Sequence, residues 1–215
     1  MMNKRAALLI ATIASFIAPF MGASINIALP TIGREFEMTA VMLGWVATAY
    51  ILAVAICLVP FGKLADIYGR KKIFLCGTIR FTVVSLFCGI APSAPLLIAL
   101  RAVQGAGAAM IFGTSTAIVT SVIPAGERGR ALGITTAATY LGLSLGPVFG
   151  GLLTQSFGWR SIFFLTVFLG IVEIALVLAT LKGEWAEARG ERFDVPGSLL
   201  YGASLAALMY GFSRL

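Results

Sequence analysis

Only 12% of the 215 residues are charged, so the few charges that interrupt apolar stretches are where chemistry is to be sought. Asp66 lies between Gly62 and Gly69 and is followed by Arg70, Lys71 and Lys72. A carboxylate so placed can cap a helix terminus or join an ion pair that exists in one conformation and breaks in another, and flanking glycines permit close helix approach. Lys71 and Lys72 need no more than an anchoring role. Arg101 and Gln104 stand one turn apart inside an apolar block, so both can face one cavity. A guanidinium there needs a partner or water and would act on a nearby proton-carrying acid; the alternative is an anchor whose stem snorkels to the outer interface. Arg80 and Glu173 are the third set. Arg80 follows Ile73 by seven positions and Glu173 precedes Leu181 by eight, which at about 1.5 Å per residue sets both roughly 10–12 Å inside the apolar layer. Equal depth predicts an intramembrane ion pair; the rival readings are an Arg80 that snorkels to the cytoplasmic interface and a Glu173 that is neutral and proton-carrying.

No nucleophile with a matching base, no metal-ligand spacing and no phosphate-binding loop is found, so neither an enzyme nor a cofactor is expected. Cys57, Cys76 and Cys88 fall within apolar blocks without CxxC spacing and read as packing residues. The net charge of +7 does not indicate nucleic acid, because its cations are scattered through short breaks and form no continuous basic patch.

The elements that must hold these residues are membrane spans. With 59% hydrophobic residues, long apolar blocks and no polar faces, the chain reads as an all-α membrane protein. Six blocks are long enough to cross, near 6–29, 42–62, 73–91, 96–122, 131–154 and 161–181. The first is too long for a secretory leader and reads as an uncleaved helix. Residues 182–196 form a charged linker and 197–215 the start of a seventh helix that looks cut short, with Asp194 and Pro196 suited to its first turn. Placing the N-terminus in the cytoplasm puts Lys4, Arg5, Lys63, Arg70, Lys71, Lys72, Arg128, Arg130, Lys182, Arg189 and Arg192 inside and leaves only Arg34 and Arg160 in outer loops, a strong positive-inside bias. Phe157-Gly158-Trp159-Arg160 before the sixth block echoes Tyr68-Gly69-Arg70-Lys71 before the third, consistent with three helices followed by three inverted ones.

In the fifth block Gly142, Gly146, Gly150 and Gly151 surround Pro147. Glycines four apart allow tight helix contact, and the proline removes one backbone bond. This run resembles the G-x-x-x-G-P-x-x-G-G motif of antiporters in the major facilitator superfamily. Gly62-Lys63-Leu64-Ala65-Asp66-Ile67-Tyr68-Gly69-Arg70-Lys71 resembles that superfamily's G-x-L-a-D-r-x-G-r-k loop, and Arg101-Ala102-Val103-Gln104-Gly105-Ala106-Gly107 its R-x-x-Q-G-x-G exporter pattern. The first helix resembles the L-D-x-T-x-x-N-x-A-L-P stretch of the drug exporters with fourteen helices, through Asn26, Ala28, Leu29 and Pro30. Met21 stands where that pattern has its acid.

The resemblance covers the whole chain. It implies half of a major facilitator fold: a six-helix bundle over 1–181, built as a 3+3 inverted repeat, that exports small amphipathic molecules in exchange for protons from the plasma membrane. Its implied partners are the substrate, protons, the lipid bilayer and a C-terminal half. An inner gate at Gly62, Asp66, Gly69, Arg70 and Lys71 and cavity residues Asn26, Arg101 and Gln104 follow from the same resemblance. A nutrient importer on the same fold and a non-transporting truncated membrane protein are the alternatives.

Overall fold

The computed structural model describes residues 4–181 and 183–212. Lys182 and the first and last three residues of the sequence analysis lie outside the described residues. Seven helices follow one another: α1 (Lys4–Glu35), α2 (Ala40–Tyr68), α3 (Arg70–Gly89), α4 (Ala94–Val122), α5 (Ala125–Phe157), α6 (Arg160–Thr180) and α7 (Val195–Phe212). No strand occurs among the described residues. The first six are long and apolar enough to cross a membrane, and the apolar part of α7 is shorter, Val195–Met209.

The turns follow from local chemistry. Thr39 caps α2 by accepting from the Met42 amide at 3.3 Å. Gly69 joins α2 to α3 at φ +116°, and Gly158 joins α5 to α6 at φ +82°, a left-handed region open to glycine at little cost. Asp194 caps α7, its carboxylate accepting from the Gly197 amide at 2.9 Å. Several helices overrun the apolar blocks. Helix α1 continues through Pro30 to Glu35, and α5 begins at Ala125 rather than 131. Apolarity marks the part that lipid can cover, whereas the hydrogen-bonded helix runs on into water.

The tightest helix pairs are α1 with α5 and α2 with α4. Exchanging α1, α2 and α3 for α4, α5 and α6 carries one pair into the other, which is the relation that an inverted repeat requires. Glycine makes both contacts possible. A side chain at Gly142 or Gly146 would come within 2.6 Å of atoms of α1, and one at Gly105 would meet the backbone of Tyr50 on α2. Helices α3 and α6 pack on each other at the edge of the bundle, Gly170 receiving the side chain of Thr82. Met21, Ile25, Phe74, Phe81, Leu97 and Phe163 fill the interior, while Ile51, Val59, Tyr140 and Val148 on α2 and α5 stay largely exposed. Helix α7 lies on α2, where the Tyr201 hydroxyl donates to the Ala55 carbonyl at 3.2 Å.

Candidate functional site

Two places in the bundle combine burial with charge. The first is the wall of a cavity of about 280 Å³ between α1, α2, α4 and α5, lined among others by Pro19, Asn26, Tyr50, Arg101, Phe112 and Leu143. Arg101 is 1% exposed, so it is not an interfacial anchor. Its Nε donates to the Val46 carbonyl at 3.1 Å, and its Nη1 donates to Gln104 Oε1 at 2.6 Å and to Met21 Sδ at 3.0 Å. The guanidinium also lies over the Tyr50 ring, 4.2 Å from its centroid, where the face of an aromatic ring attracts a cation. Every one of these partners is neutral. Gln104 turns away from the cavity: it is fully buried and its Nε2 donates to Ser85 Oγ on α3 at 2.7 Å. Three residues advance a helix by about 300°, which carries Gln104 roughly 60° from Arg101 toward α3. Asn26 lines the cavity, and Gln104 and Met21 hold the arginine through neutral atoms.

The second place is the turn between α2 and α3. Arg70, its side chain only 8% exposed, pairs with Asp66 one helical turn back, Nε and Nη2 each lying 2.8 Å from Oδ1. Its Nη1 donates to Ser121 Oγ on α4 at 2.5 Å and to Glu187 Oε1 at 2.7 Å. One guanidinium thus joins α2, α4 and the segment after α6. The glycines behave unequally. Gly69 has both its positive φ and the side chain of Glu184 against the place a Cβ would take, whereas Gly62 has nothing within 4 Å of that place. The helices do approach at Gly62, but from the other side: a side chain added at Gly113 of α4 would come within 3.4 Å of the Gly62 amide, while one added at Gly62 would point into open space. Lys71 and Lys72 take part through their backbone amides, which donate to Glu184 at 2.8 and 3.1 Å.

The expected pair of Arg80 with Glu173 does not form. No ion pair joins them among the described residues; Arg80 is exposed, and Glu173 is 1% exposed with Oε1 lacking a partner. The depth argument was sound, because Gly170 faces Thr82 and Gly89 faces Phe164 in antiparallel helices, which sets Glu173 close to the level of Thr78 and Ile79. The failure is rotational. Thr78 and Thr82 are on the buried face of α3, and Arg80, two residues from each, points about 200° away.

Sequence reasoning missed several polar contacts. Glu35, at the end of α1, accepts from Trp159 Nε1 at 2.6 Å and pairs with Arg160 at 2.7 Å. Arg160 lies 4.3 Å over the Trp159 ring, so the α5–α6 turn carries its own clasp, at the opposite end of the bundle from the α2–α3 turn. Glu184 and Glu187 were read only as linker charges. The available signal was their position, two carboxylates a few residues beyond a span whose inner neighbours are cationic. Pro147 and Gly151 lie in α5 as the motif reading supposed, and Gly142, Gly146 and Gly150 are the three at which an added side chain would clash with α1.

The family model described as Major Facilitator Superfamily matches residues 11–212. The chain is 41% identical over 204 residues to the multidrug resistance protein Stp of Mycobacterium tuberculosis (strain CDC 1551 / Oshkosh), covering 94% of this chain and 38% of that protein. It is 34% identical over 214 residues to the riboflavin transporter RibZ of Clostridioides difficile (strain 630), covering 100% and 47%. It is 38% identical over 210 residues to the cephamycin export protein CmcT of Amycolatopsis lactamdurans, covering 97% and 43%. The chain thus spans less than half the length of these relatives.

Proposed function

The chain belongs to the Major Facilitator Superfamily, and we propose that it forms the N-terminal half of a proton-coupled exporter of small amphipathic molecules, working by alternating access. Helices α1–α6 are the transporting bundle, the stretch between α6 and α7 is a cytoplasmic linker and α7 is a further helix, in a cell membrane with the N-terminus inside. The observation that carries the reading is Arg101, a buried cation in the wall of an otherwise mostly apolar cavity, held only by neutral groups. A charge so placed is costly, and an ionisable residue kept inside a membrane span at that cost marks a substrate or ion pathway. Its field favours substrates that are neutral or anionic where they meet Arg101, and it disfavours proton occupancy of any acid brought near it. Exchange of substrate for proton follows if one such acid is presented by the second half. The glycine face of α5 and the export and resistance names of Stp and CmcT support the outward direction.

RibZ, similar over the whole chain and described as a riboflavin transporter, supports a second reading, a nutrient carrier on the same fold. The test is uptake of a radiolabelled cephamycin and of riboflavin into inside-out vesicles bearing the complete transporter, with and without a pH gradient. Gradient-driven accumulation that a proton ionophore collapses is expected. Uptake indifferent to the gradient, or running only in right-side-out vesicles, would refute proton-driven export.

A further inference from the structure

The segment after α6 is more than a tether. Over eight residues it makes contact after contact with the inner turn. Glu184 accepts from the amides of Lys71 and Lys72 at 2.8 and 3.1 Å, closing the N-terminus of α3. The Arg70 amide donates to the Trp185 carbonyl at 2.8 Å, and the Ala188 amide donates to the Asp66 carbonyl at 3.0 Å. Glu187 pairs with Arg70 at 2.7 Å and Glu191 with Lys63 at 2.5 Å. The contacts alternate between main chain and side chain, so the segment is fixed in register along the turn and does not rest on one exposed ion pair.

We propose that this strap, residues 184–191, is a working part of the inner gate, with Glu187 and Glu184 as positioning residues that act through Arg70 and the first turn of α3. The proposal rests on the transport reading and adds residues to it. Arg70 is nearly buried while the Glu187 side chain is 68% exposed. Two carboxylates share one guanidinium, one from α2 and one from the strap. Any movement that parts Asp66 from Arg70 must therefore either carry the strap along or strip Glu187 away. A carboxylate open to water can be stripped with little cost, which suits a contact that is made and broken in every cycle. The strap continues into α7, which lies on α2, so the gate senses where the chain beyond the bundle stands. Gly69 is part of the fit, since Glu184 fills the space that a side chain there would need.

Amide hydrogen exchange on the 215-residue chain in lipid nanodiscs tests the docking without any substrate. Glu187→Gln and Glu184→Gln should each raise exchange in 184–191 and in 66–72 together. Faster exchange confined to 184–191 would mean that the segment merely rests on the turn, and the proposal falls. In the complete transporter, reconstituted and supplied with a cephamycin and riboflavin, Glu187→Gln should lower turnover about two- to fivefold with KM unchanged, the scale of one exposed ion pair. Glu187→Asp should recover part of the loss. Should Glu187→Gln fail to accumulate, the rim pair serves: Lys63→Glu and Glu191→Lys should each loosen both segments and the double variant restore them. Normal exchange in both single variants overturns the proposal. Wild-type protein that shows linked exchange yet moves neither compound would sink the transport reading and leave the docking standing.

Discussion

Gly150 and Gly151 are adjacent members of one motif, and the structure predicts opposite responses to the same methyl group. A Cβ on Gly150 would lie 2.7 Å from Ser24 Cα, 2.8 Å from Ser24 O and 2.9 Å from Ser24 Cβ. None of these atoms belongs to a flexible side chain. Ordinary contact begins near 3.4 Å, so α1 has to retreat by about 0.7 Å, against a hydrogen bond of 2.9 Å from Ser24 Oγ to the Gly146 carbonyl. Overpacking of this kind costs about 1–3 kcal/mol. A Cβ on Gly151 meets only Ile27 Cγ2, at 3.7 Å, and Gly151→Ala gains whatever alanine adds to helix propensity, up to about 1 kcal/mol. Both variants share that gain, so their difference isolates the packing cost. At 1.4 kcal/mol per factor of ten, Gly150→Ala should shift the folding equilibrium by about fivefold to a hundredfold or more relative to Gly151→Ala. Reversible unfolding of the two variants in mixed micelles at rising dodecyl sulfate measures this. If Gly150→Ala is as stable as Gly151→Ala, the contact between α1 and α5 is not as close as described, and the packing account of the motif fails.

In the complete transporter, Asp66→Asn should keep near-normal abundance while sharply slowing transport, because charge rather than size holds Arg70; unchanged turnover would remove Asp66 from the gate. Arg101→Ala should cost more activity than Arg101→Lys, with Lys itself impaired by the loss of the planar fork that reaches Val46, Gln104 and Met21 together; vesicle export rates of the two variants decide it. Met21→Asp would place a carboxylate beside the guanidinium of Arg101 and should extend the substrate range toward lipophilic cations, read as ethidium efflux over wild type. Glu173→Gln keeps the shape of a buried group that has no charged partner, so its abundance by immunoblot should equal or exceed wild type, whereas Glu173→Lys should fall below it.

How much was legible depended on whether a feature is local in sequence. Composition located six spans, because lipid imposes length and apolarity on each of them separately. The three motifs gave the residues on which the structure concentrates contact or charge: Asp66 and Arg70 at the α2–α3 turn, Arg101 on the cavity and Gly146 of α5 against α1. What failed was angular or distant. Depth along a helix can be counted, but the face that Arg80 turns depends on which neighbour α3 chooses. One-turn spacing from Arg101 and the exporter pattern both assign Gln104 to the cavity, whereas its partner Ser85 on α3 draws it elsewhere. The docking of Glu184 and Glu187 needed the inner ends of three helices in place, and no local pattern announces that. Glu35 was invisible for the same reason, since its partners Trp159 and Arg160 lie over 120 residues away.

The grip between α1 and α5 also sets a schedule for synthesis. Ser24 and Gly146 are 122 residues apart, which at about 5–20 residues per second is roughly 6–24 s of translation. During that interval the first helix has left the ribosome without its main partner, whereas α2 meets α4 much sooner. Its buried-side residues Ser24 and Ser15 must meanwhile be tolerated in lipid or beside the insertion machinery. A nascent-chain force measurement should therefore record a pull on α1 as the glycine face of α5 arrives, and none when α2 follows it into the bilayer.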